Sequence, residues 1–205
     1  QYFEAYNNLG VVLNELGDYN SAQVAFESSI HLNSGFAESH NNLGSCMKLQ
    51  KKNSNAIRSF RSAISLNPLY AEAYNNLGEV YKDEGILEKA IENYKNALSL
   101  KPYYNEALSN LGLAFNKFVV DYFDPELSKL LVNVLENGCV NPRELATPIL
   151  KLVNLDPQLQ RIQKKNLACE DLQSILSFIQ TVNKSPLLLN FMTLCPINDL
   201  DWECL

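Results

Sequence analysis

Histidine is scarce in this sequence, which has only His31 and His40. No close Cys or His pair accompanies them, so no metal site is expected. The five cysteines, Cys46, Cys139, Cys169, Cys195 and Cys204, form no C-x-x-C pair. An odd, scattered set of thiols points to a reducing compartment, and the expected location is the cytoplasm. No apolar run is long enough to span a bilayer, so no membrane is expected. A basic amino-terminal segment with an apolar run behind it, the mark of a signal peptide, is also missing. Basic residues are not in excess: 17 Lys and Arg lie scattered among 23 Asp and Glu, for a net charge of −6. That balance argues against nucleic acid as a partner. No glycine-rich phosphate loop and no plausible catalytic set appear, so the chain is expected to be neither an enzyme nor a carrier of a cofactor. What remains is an ordinary globular composition, 46% hydrophobic and 20% charged over 205 residues. A chain of that length buries about 70% of its unfolded surface.

A repeat fills the space these exclusions leave. Asn8-Leu9-Gly10 returns as Asn42-Leu43-Gly44, Asn76-Leu77-Gly78 and Asn110-Leu111-Gly112, 34 residues apart each time. On that period the units run Phe3 to Phe36, Ala37 to Tyr70 and Ala71 to Tyr104, with a fourth start at Asn105. Other columns fall into register. Column eleven reads Leu13, Met47, Tyr81 and Phe115; column twenty reads Ala22, Ala56 and Ala90. Column twenty-four is aromatic, with Phe26, Phe60 and Tyr94, and column twenty-seven is small, with Ser29, Ala63 and Ala97. Columns four, seven, eight and eleven share one helical face. The glycines in column eight cost roughly 1 kcal/mol each against alanine, which makes sense if a second helix crosses closely there. Gly17 and Gly85 break the chain after a first helix; Pro68 and Pro102 close a second one. Each unit is thus a helical hairpin that buries its apolar face only by stacking on its neighbours.

These residues resemble the tetratricopeptide repeats, over about residues 3–118. The stretch AEAYNNLGEVYKDEGILEKAIENYKNALSLKP, from Ala71, is the clearest unit. Its flavour is similar to the repeats of O-linked N-acetylglucosamine transferases and their bacterial relatives. The resemblance implies an all-α, right-handed solenoid of three full repeats plus a fourth first-helix. It also implies that the first helix of each repeat lines a concave groove and that the partner is a protein or peptide segment in extended conformation.

The residues on that face make the expectation specific. Column six carries Asn8, Asn42, Asn76 and Asn110; column five carries Asn7, Asn41, Asn75 and Ser109. Asparagine is a middling helix former, so a mid-helix register of them needs a reason. An amide side chain both donates and accepts, so it pairs with a peptide backbone of any sequence. The column-six amides are therefore expected in one line, free of strong intramolecular partners, as a ladder for an extended chain. The competing expectation is a consensus habit facing water. Column two carries Glu4, Glu38, Glu72 and Glu106. Glu38 and Glu72 are candidate groove residues, although a carboxylate in a first helical turn is also explained by the helix dipole. Family members that bind chaperone carboxyl-terminal tails use a clamp of Lys, Asn, Asn, Lys and Arg. The matching positions here are Asn7, Val11, Asn42, Glu72 and Asn76. Only Asn42 fits, and Glu72 would repel a carboxylate, so such a tail is not the expected ligand.

Residues 119–205 leave the period but keep helical patterning. Pro125 opens a helix with Leu127, Leu130, Leu131, Val134 and Leu135 on one face, and Gly138 ends it. Leu130, Leu131, Leu135, Leu150 and Ile179 are expected to be buried in a capping helical bundle. The stretches DPELSKLLVNVLENGCVNPRELA and LLLNFMTLCPINDLDWECL look like the helical segment joining repeats to a methyltransferase domain in bacterial proteins. That resemblance implies an alternative: the chain as a substrate-recognition or linker arm of a larger transferase whose catalytic domain lies beyond Leu205. An S-adenosylmethionine-dependent methyltransferase comes first there, and a glycosyltransferase second.

Overall fold

The structure is a computed structural model, and it describes residues 2–117, 125–136, 138, 149, 152, 155 and 157. Eight helices lie in these residues: α1 (Tyr2–Glu15), α2 (Tyr19–Leu32), α3 (Ala37–Leu49), α4 (Asn53–Leu66), α5 (Ala71–Asp83), α6 (Leu87–Leu100), α7 (Asn105–Lys117) and α8 (Pro125–Glu136). The described residues contain no strand, and α1–α7 fall where the period places them. The chain divides into two compact units, residues 1–107 and 108–205.

The first unit is a stack of hairpins: α1 packs on α2, α3 on α4 and α5 on α6. The turn inside each hairpin needs one residue in the left-handed backbone region. Gly17 (φ +80°) and Gly85 (φ +75°) supply it without steric cost, whereas the second hairpin uses Lys51 (φ 61°). Asp18 caps α2 by accepting a bond from the Ser21 amide at 3.1 Å. Hydrogen bonding from the Ser21 side chain, together with its amide, holds the Asp18 carboxyl below the usual aspartate range.

The column-eight glycines sit at the crossings. A methyl group on Gly10, Gly44 or Gly78 would stand 2.6 to 2.7 Å from the ring of Phe26, Phe60 or Tyr94 respectively. Those rings, with Ala22, Ala56 and Ala90, are buried between the two helices of their own hairpin. Consecutive hairpins join through α2 on α3 and α4 on α5, and the first helices also meet, α1 with α3 and α3 with α5. At the first junction the Tyr19 carbonyl accepts from Gln50 Nε2 at 3.1 Å and from Cys46 Sγ at 3.3 Å. Burial there pushes the Cys46 thiol pKa up.

No second helix among the described residues covers the outer face of α1. Leu9 is therefore 49% exposed, where its equivalents Leu43 and Leu77 are 9% and 4%. A shallow cavity of about 390 Å³ opens there, lined by Tyr6, Leu9, Leu13 and Val24 among others.

In the second unit, α8 buries Leu127, Leu131, Val134 and Leu135, and Ile149 and Leu152 are buried as well. Gly138, at φ +62°, follows the end of α8. Leu130 is half-buried rather than buried, because it lies at the margin of the α8 stripe beside exposed Lys129. Leu150 and Ile179 lie outside the described residues.

Candidate ligand-binding face

The asparagines separate into two sets with different surroundings. Column five turns inward: Asn7, Asn41 and Asn75 are 1%, 7% and 2% exposed. Column six lies at the surface, with Asn8 exposed and Asn42, Asn76 and Asn110 half-buried. Successive residues on a helix are about 100° apart, so one member of each pair points into the stack and the other across its edge.

Buried asparagines need partners, and Asn7 has three. Its Oδ1 accepts from Ser39 Oγ and from Asn42 Nδ2, both at 3.0 Å. Its Nδ2 donates to Glu38 Oε1 at 2.9 Å. The motif repeats one step on, where Asn76 Nδ2 donates to Asn41 Oδ1 at 3.1 Å. The expected set of amides free of intramolecular partners is corrected here. Asn42 and Asn76 are each tied to the buried asparagine of the preceding repeat. Asn7, Asn41 and Asn75 are interior groups and so unavailable as surface donors; over Asn7 and Asn41 it is the next first helix that closes. Among the described residues, the Oδ1 atom and one amide hydrogen of Asn42 and of Asn76 make no bond.

The carboxylates flank this web. Glu38 and Glu72 stand four residues before Asn42 and Asn76 and so share their faces. Glu38 is fixed by Asn7, and Glu72 pairs with Lys101. Burial works against the charge on Glu72, but the Lys101 ammonium outweighs it and holds the carboxyl below the usual range. The same pairing removes much of the repulsion that Glu72 was expected to exert on an incoming carboxylate. Lys48 pairs with Glu79 on the neighbouring first helix in the same way.

Two participants were not singled out from the sequence. Ser39 joins Asn7 to Ser29, whose Oγ lies 2.7 Å from Ser39 Oγ. Its signal was a hydroxyl in a column otherwise held by alanine: Ala5, Ser39, Ala73, Ala107. Tyr70, in the aromatic column Phe36, Tyr70, Tyr104, is the other. Its phenol is pushed up to about 12 by burial and by the carboxylates of Glu38 and Glu72.

Stacked helical hairpins with a polar, hydrogen-bonded first-helix face define a repeat-type interaction module. Family models support that class: the tetratricopeptide repeat matches at residues 3–35 and 71–104, and the TPR repeat at residues 47–85. The chain belongs to the tetratricopeptide-repeat family.

Among solved structures, the MamA protein is 32% identical, with a TM-score of 0.57 over 71% of this chain and 75% of that one. An O-GlcNAc transferase mutant of Thermobaculum terrenum is 24% identical, with a TM-score of 0.58; the match covers 66% of this chain but 26% of that one. The first TPR of Spaghetti (RPAP3) bound to the HSP90 peptide SRMEEVD is 24% identical, with a TM-score of 0.54 over 56% of this chain and 90% of that one. The last two likenesses concern the fold alone. No curated protein sequence matches the chain. Among the described residues no helix is long and apolar enough to cross a membrane.

Proposed function

We propose that the first-helix face is a groove that binds a protein or peptide segment in extended conformation. Asn8, Asn42 and Asn76 grip its backbone there. The observation that carries this reading is the pairing of Asn42 with Asn7 and of Asn76 with Asn41. Asn42 and Asn76 are each held in place from below, with an acceptor and a donor turned to a ligand. Holding it before binding removes part of the ordering cost of recognition. Glu38 and Glu72 border the line and choose among side chains, while the buried Asn7, Asn41 and Asn75 support it.

The test compares wild type with a double Asn→Ala variant at positions 42 and 76 on an array of extended peptides. The array includes the acidic peptide SRMEEVD. Each bond contributes about 0.5 to 1.5 kcal/mol net, so the double change weakens binding while circular dichroism stays unchanged. Equal binding by both proteins would return the asparagines to a consensus habit. Tight capture of SRMEEVD alone would shift the reading to carboxylate recognition.

The resemblance of residues 124–146 and 187–205 to a methyltransferase linker supports a second use of the same groove, as the substrate arm of a larger transferase. Reading the gene past Leu205 tests it. An α/β domain with a glycine-rich first loop supports that use, and its absence removes it.

A further inference from the structure

One rung of the groove already holds a cation, and the chain supplies it. The Lys101 ammonium pairs with Glu72 and lies 5.7 Å from the centre of the Tyr104 ring. One repeat earlier the same carboxylate and ring recur as Glu38 and Tyr70, but Asn67 stands where Lys101 would be. The backbone is the same at both places, with φ −136° and ψ 91° at Asn67 and φ −133° and ψ 88° at Lys101. What differs is the side chain. Asn67 folds back to accept from the Leu69 amide at 3.1 Å and does not extend to the carboxylate. The Glu38 carboxylate is nevertheless held ready, because the buried Asn7 donates to it at 2.9 Å. That same Asn7 amide holds Asn42, the surface rung four residues along. The first repeat offers Glu4, Phe36 and Asn33 at these positions, with no phenol in the set.

Building on the peptide-groove reading, we infer that the Glu38–Tyr70 rung takes a lysine or arginine side chain of the bound peptide, in the place Lys101 fills by itself one repeat later. A carboxylate beside an aromatic ring suits a cation through both charge and ring face. Packed helices lie about 8–10 Å apart, so one repeat corresponds to about three residues of extended peptide at ~3.3 Å each. The partner is therefore a basic extended segment, with one cationic residue specified at the Glu38 rung.

The experiment uses the full 205-residue chain and two pools of labelled ten-residue peptides, measured at low and at physiological salt. The pools are identical except for Lys or Arg against Gln at one position scanned along the peptide. Wild type is expected to bind the basic pool about three- to tenfold more tightly at one position of the scan. Glu38→Gln keeps an acceptor for Asn7 and is expected to erase that preference. Asn67→Lys, which supplies an internal cation, is expected to erase it too. Lys101→Ala is expected to create a second preferred basic position about three residues from the first. A preference that survives both Glu38→Gln and Asn67→Lys would assign it to the general negative charge and overturn the rung. Tight binding with no basic preference overturns this inference and leaves the peptide groove standing. Failure of every pool to bind overturns both.

Discussion

Asn42 Nδ2 donates to Asn7 Oδ1 at 3.0 Å, linking the surface of one repeat to the buried edge of the repeat before it. Asn7 also serves Ser39 and Glu38. Asn7→Ala therefore leaves three groups without their partner, one of them the buried Ser39. The expected loss is about 1–3 kcal/mol of unfolding free energy. Asn42→Ala removes one half-exposed donor and is expected to cost under about 1 kcal/mol. Urea denaturation of both single variants and the double variant measures the coupling, expected at about 1 kcal/mol. A coupling of zero would mean that the bond contributes nothing to folding.

Gly44→Ala tests the helix crossing. The added carbon would meet Phe60 Cδ1 at 2.7 Å, and that ring is fully buried with nowhere to move. Overpacking of this kind costs about 1–3 kcal/mol. Combining it with Phe60→Leu, which makes room, should cost less than the sum of the two single changes in thermal melts. An additive result would show that the crossing is looser than the distance indicates.

Lys51 occupies a left-handed turn position that Gly17 and Gly85 hold in the neighbouring repeats. A side chain there carries roughly 1–2 kcal/mol of strain. Glycine relieves it but loses more entropy on folding, by about 0.5–1 kcal/mol. Lys51→Gly is thus expected to raise stability by about 0.5–1 kcal/mol, visible as a higher denaturant midpoint. A lower midpoint would contradict the argument.

Tyr70 gives a pH dependence with a definite sign. Its phenol rises from 10.0 to about 12 in the folded protein through burial and the carboxylates of Glu38 and Glu72. The folded state therefore binds this proton more tightly than the unfolded state. The stability that follows is complete below pH 10 and is lost as pH rises toward about 12. Ultraviolet titration should show a late phenolate step that Tyr70→Phe removes. An ordinary titration of this ring near pH 10 would refute its placement between the two carboxylates.

Much of this architecture is local and so was readable from residue types alone. The 34-residue spacing of Gly10, Gly44 and Gly78 and of Phe26, Phe60 and Tyr94 pairs the two helices of one hairpin. The requirement there is steric and acts within a few turns of chain: a ring needs a missing side chain opposite it. The groove is different. Asn7 and Asn8 are neighbours of one residue type, and periodicity marks both as polar. Which one is buried depends on where the next first helix lies. Asn7 meets Glu38 and Asn42, 31 and 35 residues away, only because α3 closes over α1. Lys101 finds Glu72 in the same manner, 29 residues back. Sequence by itself determined the repeat, the hairpins and the polar columns, because propensity and close packing act within one unit. The tertiary structure alone decided which amides are buried and which lie at the surface, because a hydrogen bond between repeats exists only once stacking removes one partner of each pair from water.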